Sequence, residues 1–187
     1  MPLNKFISRA GYCSRREAAD LIKQGEVKVN GKVLKEPGYK VQETDVVTYQ
    51  EEDVTQKEKP VYFLLNKAKD YITTTDDPEG RKTVMDLFKD VKERIFPVGR
   101  LDRNTTGLLL LTNDGHLAQR LSHPKFQNKK VYQVKLDKPL DDKDFEKIVA
   151  GLELEDGKAM IDSLAYTNPE NKSEIGIEIH IGKNRIV

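Results

Sequence analysis

The sequence predicts an α+β protein of two domains, and three observations support this prediction. The first 35 residues combine two short amphipathic segments with a β-hairpin pattern. Residues 50–59 are polar and aperiodic, as in a linker. Beyond Pro60, strand-like and helix-like segments do not alternate in a βαβ rhythm, which favours a mixed, mainly antiparallel sheet. We therefore expect a small domain at 1–49, a linker at 50–59 and a larger domain at 60–187.

Two helices and a hairpin are predicted in the first domain. The first helix ends at Gly11 and has its apolar residues at helical spacing: Leu3, Phe6, Ile7 and Ala10. Ser14 and Glu17 form a capping-box pattern for the second helix, which Gly25 terminates. Asn30-Gly31, between alternating valines, is a strong hairpin signal.

Positive charge is concentrated in this domain. Met1 to Lys35 contains eight basic and three acidic residues, a net charge of +5, whereas the whole chain carries +1. Arg15 and Arg16 would lie in the first turn of a helix, where cations oppose the helix dipole and where N–H groups can bind phosphate. A solvated basic face is the alternative. The candidate RNA-binding residues here are Lys5, Arg9, Arg15, Arg16, Lys28 and Lys32.

These residues lie in a pattern that resembles the alpha-L RNA-binding motif, which occurs in a small-subunit ribosomal protein and in RNA-modifying enzymes. The resemblance covers most of residues 2–48 and rests on three segments: Leu3-Asn4-Lys5-Phe6-Ile7, Cys13-Ser14-Arg15-Arg16-Glu17-Ala18 and Val29-Asn30-Gly31-Lys32. We interpret Cys13 within it as a small buried hydrophobic residue rather than a reactive thiol.

The larger domain is predicted to contain strands and helices in mixed order. They are a strand at 61–65, a helix from Thr83 to Phe88, a strand at 107–112, a helix at 114–122, a strand at 130–136, a helix at 141–150 ended by Gly151, and a strand at 175–181. The last strand is the clearest, because Ile175, Ile177, Ile179 and Ile181 alternate with other residues.

Several function classes have no support in the sequence. It lacks both the Walker-type loop and the GxGxxG pattern, and its three histidines do not cluster with metal-ligating residues. A single cysteine excludes an internal disulfide, and apolar runs are too short to cross a bilayer. We therefore expect a cytoplasmic monomer with no cofactor, no metal and no membrane partner.

One segment stands apart, because it places a carboxylate between two arginines before an apolar strand: Gly99-Arg100-Leu101-Asp102-Arg103-Asn104-Thr105-Thr106-Gly107. Asp102, kept ionised between the arginines, could act as a nucleophile. Without family knowledge, Asp102 could simply pair with Arg100 or cap the Asn104-Thr105 turn.

This segment, continued by Leu-Leu-Leu-Leu-Thr-Asn-Asp-Gly, resembles the signature of the RsuA, RluB and RluF group of bacterial pseudouridine synthases, and residues 76–84 resemble the RluB type. The resemblance implies isomerisation of uridine to pseudouridine in ribosomal RNA, preferably of the large subunit. It makes Asp102 a nucleophile sheltered in a dry pocket that receives a flipped-out base. It places Arg100 in the gap left by the flipped nucleotide and Tyr132 against the uracil, although by spacing alone Tyr132 could be a core aromatic.

Further cations extend the predicted RNA surface. No acidic residue lies between Leu117 and Leu136. Near the end of the chain, Gly182-Lys183-Asn184-Arg185 resembles the start of a basic family motif. The additional candidate RNA-binding residues are Arg103, Lys125, Lys129, Lys130, Lys183 and Arg185. The resemblance implies that the family continues beyond this point with another basic residue, so we expect this chain to be short at its C-terminus.

Two other functions are compatible with these residues. The main alternative to a pseudouridine synthase is a non-catalytic factor for ribosomal RNA binding or ribosome assembly, and a small-molecule lyase is a weaker one.

Overall fold

The structure, a computed structural model, describes residues 1–54, 59–154 and 157–180. Packing divides the chain into two compact units, Met1–Gln119 and Arg120–Val187. In the described residues every pair of named strands is antiparallel, which confirms the mainly antiparallel prediction. A single parallel bridge joins Ile72 and Thr83. No described helix is long and apolar enough to span a membrane.

The first unit begins with two helices, α1 (Leu3–Arg9) and α2 (Arg15–Gln24). The predicted capping box is present, because the Glu17 amide donates to Ser14 Oγ at 3.1 Å and the Ser14 amide donates to Glu17 Oε2 at 3.3 Å. Helix α2 ends at Gly25, whose φ of 88° is a left-handed conformation that glycine adopts without a steric penalty. Local sequence therefore sets both ends of α2.

A four-stranded sheet follows, in the order β2-β1-β3-β4. Its strands are β1 (Val27–Val29), β2 (Lys32–Val33), β3 (Val47–Tyr49) and β4 (Glu52–Asp53). Asn30 and Gly31 both have positive φ, as a tight hairpin turn requires. The sheet and the two helices enclose one core that includes Leu3, Ile7, Ala18, Ile22 and Val47.

The linker predicted at 50–59 needs correction at its start. Strand β4 pairs with β3 through Thr48 and Tyr49, and Val54 is only 1% exposed within the core of the first domain. This domain therefore extends beyond residue 49. Sequence reasoning missed the extension because β4 is short, acidic and exposed, and so carries no hydrophobic alternation. Residues 55–58 lie outside the described part of the chain.

A second sheet in the first unit has the order β5-β7-β6 and carries the segment around Asp102. Its strands are β5 (Tyr62–Lys67), β6 (Phe96–Pro97) and β7 (Gly107–Thr112). Val84, Ile95, Leu109 and Leu111 form the buried core beneath it. The helix predicted from Thr83 is a 3-10 helix, Val84–Phe88, and helix α3 (Gly115–Ser122) follows β7.

The second unit contains a three-stranded sheet of order β11-β12-β8. Its described elements are a 3-10 helix at Pro124–Phe126, β8 (Lys130–Lys135), α4 (Asp142–Ala150), β9 (Leu152–Leu154), β10 (Gly157–Ala159), β11 (Ser163–Tyr166) and β12 (Glu174–Ile179). The predicted alternation in β12 holds for Ile175 and Ile179, which are buried. Ile181 lies outside the described residues.

Candidate active site

Asp102 lies in the turn that leads into β7, as the sequence predicts. The Thr105 amide donates to the Asp102 carbonyl oxygen at 3.0 Å and closes the turn, and β7 begins at Gly107. The expectation of a sheltered carboxylate is wrong for the protein without RNA, because residues 102–106 are all exposed. A turn at the end of a sheet presents its side chains to solvent unless another element covers it.

A buried lysine holds this turn from beneath. Lys67, the last residue of β5, is 1% exposed. Its Nζ donates to the carbonyl oxygens of Asp102 at 2.9 Å, Arg103 at 3.2 Å and Thr105 at 2.8 Å, and also to that of Ala68 at 3.0 Å. A buried ammonium group needs such partners, since an unpaired charge in the interior is costly. Lys67 therefore fixes the path of the backbone at Asp102.

Two further contacts restrain the same turn. Thr73 Oγ1 donates to the Leu101 carbonyl at 2.6 Å and accepts from the Leu101 amide at 3.3 Å. The Asp70 amide donates to the Arg103 carbonyl at 2.9 Å. The residues on both sides of Asp102 are thus bound to the segment 67–73, and we call this set of contacts the carbonyl clamp.

The two arginines that flank Asp102 differ in their surroundings. Arg103 Nη2 lies 3.1 Å from Asp70 Oδ1, in an ion pair whose side chains are both more than half exposed. Such a pair stabilises the fold little but orients the guanidinium group. Arg100 is exposed and precedes the turn.

The RluB-like segment 76–84 forms a rigid loop beside a cleft of about 590 Å³. The Asp77 carboxylate accepts from the Arg81 amide at 2.8 Å and from Arg81 Nη2 at 2.7 Å. The Arg81 side chain holds the pKa of Asp77 below its usual range. Arg81 also pairs with Glu79 at 2.8 Å, so the positive charge of Arg81 is balanced by carboxylates of its own loop.

Three cations predicted in the first domain line one cleft of about 620 Å³. Lys5, Arg9 and Arg15 share it with a polar group from the region of α3: Asn113, Asp114, His116 and Gln119. Asp114 also caps α3, since its Oδ1 accepts from the His116 and Leu117 amides. These amides, the Leu117 amide most of all, lower the pKa of Asp114.

The other candidate cations of the first domain differ in their surroundings. Lys28 Nζ lies 2.7 Å from Glu51 Oε1 in a solvent-exposed ion pair. Arg16 and Lys32 are exposed. Cys13 is 6% exposed, and its burial raises the pKa of the thiol, as expected for a structural residue.

In the second unit, Tyr132 lies on β8 opposite Ile177 of β12 and is 37% exposed. It is therefore accessible rather than a fully buried core aromatic.

The candidate cations of the second unit lie on its surface where they are described. Lys125, Lys129 and Lys130 are exposed, and Lys129 Nζ lies 2.6 Å from Glu178 Oε1. Lys183 and Arg185 fall outside the described residues. Among the residues that the structure does describe, no group of three histidine, cysteine or acidic residues could hold a metal ion.

Sequence reasoning missed Lys67 and Thr73 as parts of the site. Lys67 acts through carbonyl oxygens that lie 35, 36 and 38 positions further along the chain. Every residue has a carbonyl group, so no side-chain motif marks such partners. The available signal was a lysine at the end of a strand with a central apolar run, Phe63-Leu64-Leu65-Asn66-Lys67.

Two family profiles match the chain. The profile described as RNA pseudouridylate synthase matches residues 61–187, and the S4 domain profile matches residues 1–47. Among solved structures, one described as a crystal structure of pseudouridylate synthase is similar, with a TM-score of 0.58 and 28% identity. The similarity covers 98% of this chain and 79% of that one.

Curated relatives match along nearly the whole chain. A ribosomal large subunit pseudouridine synthase B of Bacillus subtilis is 46% identical over 189 residues, which are 99% of this chain and 77% of the relative. An uncharacterized RNA pseudouridine synthase of Aquifex aeolicus is 45% identical over 188 residues, or 99% of this chain and 75% of the relative. A large subunit synthase B of Vibrio vulnificus is 39% identical and is covered over 60% of its length.

Proposed function

The chain belongs to the RNA pseudouridylate synthase family, and on that premise we propose that it isomerises a uridine of large-subunit ribosomal RNA with Asp102 as the nucleophile. One observation carries the assignment of Asp102: the carbonyl clamp holds the backbone on both sides of this exposed carboxylate. A nucleophile must be held close to its reacting geometry, and a misplacement of about 1 Å costs on the order of a hundredfold in rate.

The reaction requires no redox change. The bond from uracil N1 to the ribose breaks, a bond from C5 to the ribose forms, and the C5 proton is lost while N1 gains one. A carboxylate at Asp102 can serve by attack on the sugar or on the pyrimidine ring. Either route needs the base outside its stack, where the atoms that react become accessible.

Arg100 and Tyr132 have distinct proposed roles. Arg100 is exposed just before the Asp102 turn and would occupy the space that the flipped nucleotide leaves in the RNA. Tyr132, 37% exposed on β8, would contact the uracil ring and assist removal of the C5 proton. Because Asp102 is exposed in the protein alone, we propose that bound RNA supplies the cover that excludes water from the carboxylate.

The first domain supports RNA as the partner. It matches the S4 profile, and its Lys5, Arg9 and Arg15 line one cleft. Phosphate contacts of this kind position the RNA without reading its sequence. The choice of the large subunit rests on the names of the Bacillus subtilis and Vibrio vulnificus relatives and on the RluB-like segment. Action on ribosomal RNA would place the protein in the cytoplasm.

The test measures release of tritium from ribosomal RNA labelled at C5 of uridine. We expect release by the wild-type protein and none by Asp102→Asn, with RNA affinity unchanged. Asp90→Asn, which alters an exposed carboxylate away from the turn, is the matched control and should release tritium normally.

Two outcomes would contradict the proposal. Equal release by Asp102→Asn would remove Asp102 as the nucleophile. Tight binding of ribosomal RNA by the wild type, with no release from any uridine, would favour the alternative of a non-catalytic ribosomal RNA-binding factor.

A further inference from the structure

Phe126 is an exposed aromatic residue of the second unit. All six phenylalanines lie in the described residues, and Phe126 is the most exposed of them, with 41% of its surface accessible. A single exposed apolar side chain is common on protein surfaces, so exposure alone assigns no role. Its surroundings add two independent observations.

The backbone presents Phe126 on a rigid turn. Phe126 ends a 3-10 helix that starts at Pro124, and His123 Nδ1 accepts from the Lys125 amide at 3.1 Å. The Asn128 side chain donates to the carbonyl oxygens of Arg120 at 2.7 Å and Leu121 at 3.0 Å, which ties the turn to the end of α3. A ligand that docks on a turn fixed in this way loses little conformational entropy.

One cation lies over the ring, and the surrounding sequence is basic. Lys125 Nζ lies 4.8 Å from the ring centroid of Phe126. The sequence from 118 to 135 contains no aspartate or glutamate and has five exposed basic residues: Arg120, Lys125, Lys129, Lys130 and Lys135. Glu178 offsets the charge of Lys129, so the remainder of the surface keeps a net positive charge. This positive charge would not favour a partner protein with an apolar surface, but it attracts a polyanion.

We propose that Phe126 is a stacking platform for an unpaired nucleobase of single-stranded RNA, with Lys125 and its basic neighbours at the adjoining phosphates. The proposal rests on the proposed function, which makes RNA the substrate, and it adds a base-stacking site in the second unit. Aromatic rings flanked by cations bind single-stranded nucleic acid in this way, because every base has a flat face and every nucleotide a phosphate.

The first test uses Phe126→Trp. The chain has no tryptophan, so the new indole is the sole fluorophore of its kind. A single-stranded oligoribonucleotide of about ten nucleotides, within the usual range of such sites, is compared with inorganic polyphosphate. Stacking predicts that RNA quenches the indole emission and that polyphosphate does not. Quenching by both probes, or by neither, would overturn the proposal.

The second test measures affinity for the same oligoribonucleotide. Phe126→Ala should weaken binding by about 5-fold to 150-fold, the range for loss of one stacked base, and Phe126→Tyr should restore most of it. Leu121→Ala, which removes another exposed apolar side chain of the same segment, is the matched control and should change little. An equal loss in Leu121→Ala would indicate a general apolar surface instead.

Salt dependence separates stacking from charge. Phe126→Ala should leave the slope of log affinity against log salt unchanged, because it removes no cation, whereas Lys125→Ala should reduce the slope. A reduced slope in Phe126→Ala would contradict the stacking assignment.

Catalysis separates this proposal from the proposed function. In the tritium assay, Phe126→Ala should raise KM and leave kcat near that of the wild type. If Phe126→Ala releases tritium as fast as the wild type and binds RNA with unchanged affinity, the stacking site is refuted and the proposed function is not. If RNA alone quenches the indole of Phe126→Trp but the wild type releases no tritium, the isomerase assignment is refuted and the stacking site is supported.

Discussion

Replacing Lys67 with methionine would remove the charge at the centre of the carbonyl clamp while keeping a similar side-chain length. Four carbonyl oxygens would lose their donor. Those of Asp102 and Arg103 would still accept from the Thr105 and Asp70 amides. Among the residues that the structure describes, no backbone amide donates to the carbonyls of Ala68 and Thr105 in the same way, so these two groups account for most of the expected loss of stability.

The expected magnitude follows from those two groups. A buried carbonyl left without a partner costs about 1–3 kcal/mol. Because Ala68 and Thr105 are exposed residues that water can reach, we take the lower part of the range and expect a loss of ~2–4 kcal/mol from both together. For a chain of this length the melting temperature should fall by roughly 4–16 °C.

Thermal unfolding followed by circular dichroism measures the loss, and tritium release at a temperature where the variant is folded measures its effect on Asp102. Lys69→Met is the matched control, because Lys69 is exposed two positions away. It should melt like the wild type. If Lys67→Met also melts like the wild type, the ammonium group does not hold the turn and the reasoning fails.

Three further predictions concern the first domain. Ser14→Ala should lower the free energy of unfolding by about 1 kcal/mol, measured by urea denaturation, because the Glu17 amide loses its acceptor; an unchanged urea midpoint would show that the cap is unimportant. Arg15→Glu with Arg16→Glu should weaken RNA binding and flatten its salt dependence, whereas Lys23→Glu at the other end of α2 should do so less; equal effects would reassign the two arginines to a merely solvated face. Asp45 accepts from the Gln42 amide, Asn30 and Tyr39, and these donors, the Gln42 amide first, lower its pKa. Its contribution to stability should therefore be complete above the ordinary carboxyl pKa and be lost as pH falls below about 4 through the lowered pKa. Acid titration of Asp45→Asn should show a shallower loss of stability than the wild type, and identical curves would contradict this role.

Local patterns predicted the elements whose causes are local. The capping box at Ser14, the left-handed Gly25 and the Asn30-Gly31 hairpin all depend on neighbours within a few positions, and each is present. The turn at Asp102 is likewise where its sequence places it. Apolar alternation also located β12.

The helix predicted from a cap at Thr83 through Phe88 is present, and it is a 3-10 helix. A single capped turn does not distinguish a 3-10 helix from an α-helix. One prediction was wrong because its local signal is absent. Strand β4 was taken as linker because a short, exposed strand lacks the alternation that marks a half-buried one.

By itself, the sequence determined the basic helix-and-hairpin domain and the position of Asp102 in a turn before an apolar strand, because adjacent residues suffice for both. Only the tertiary structure decided how that turn is held and how exposed its carboxylate is. Lys67 binds carbonyl groups 35 to 38 positions away, and backbone carbonyls are the same in every residue. Solvent exposure depends on which elements pack over a residue, and no pattern of neighbouring side chains encodes that.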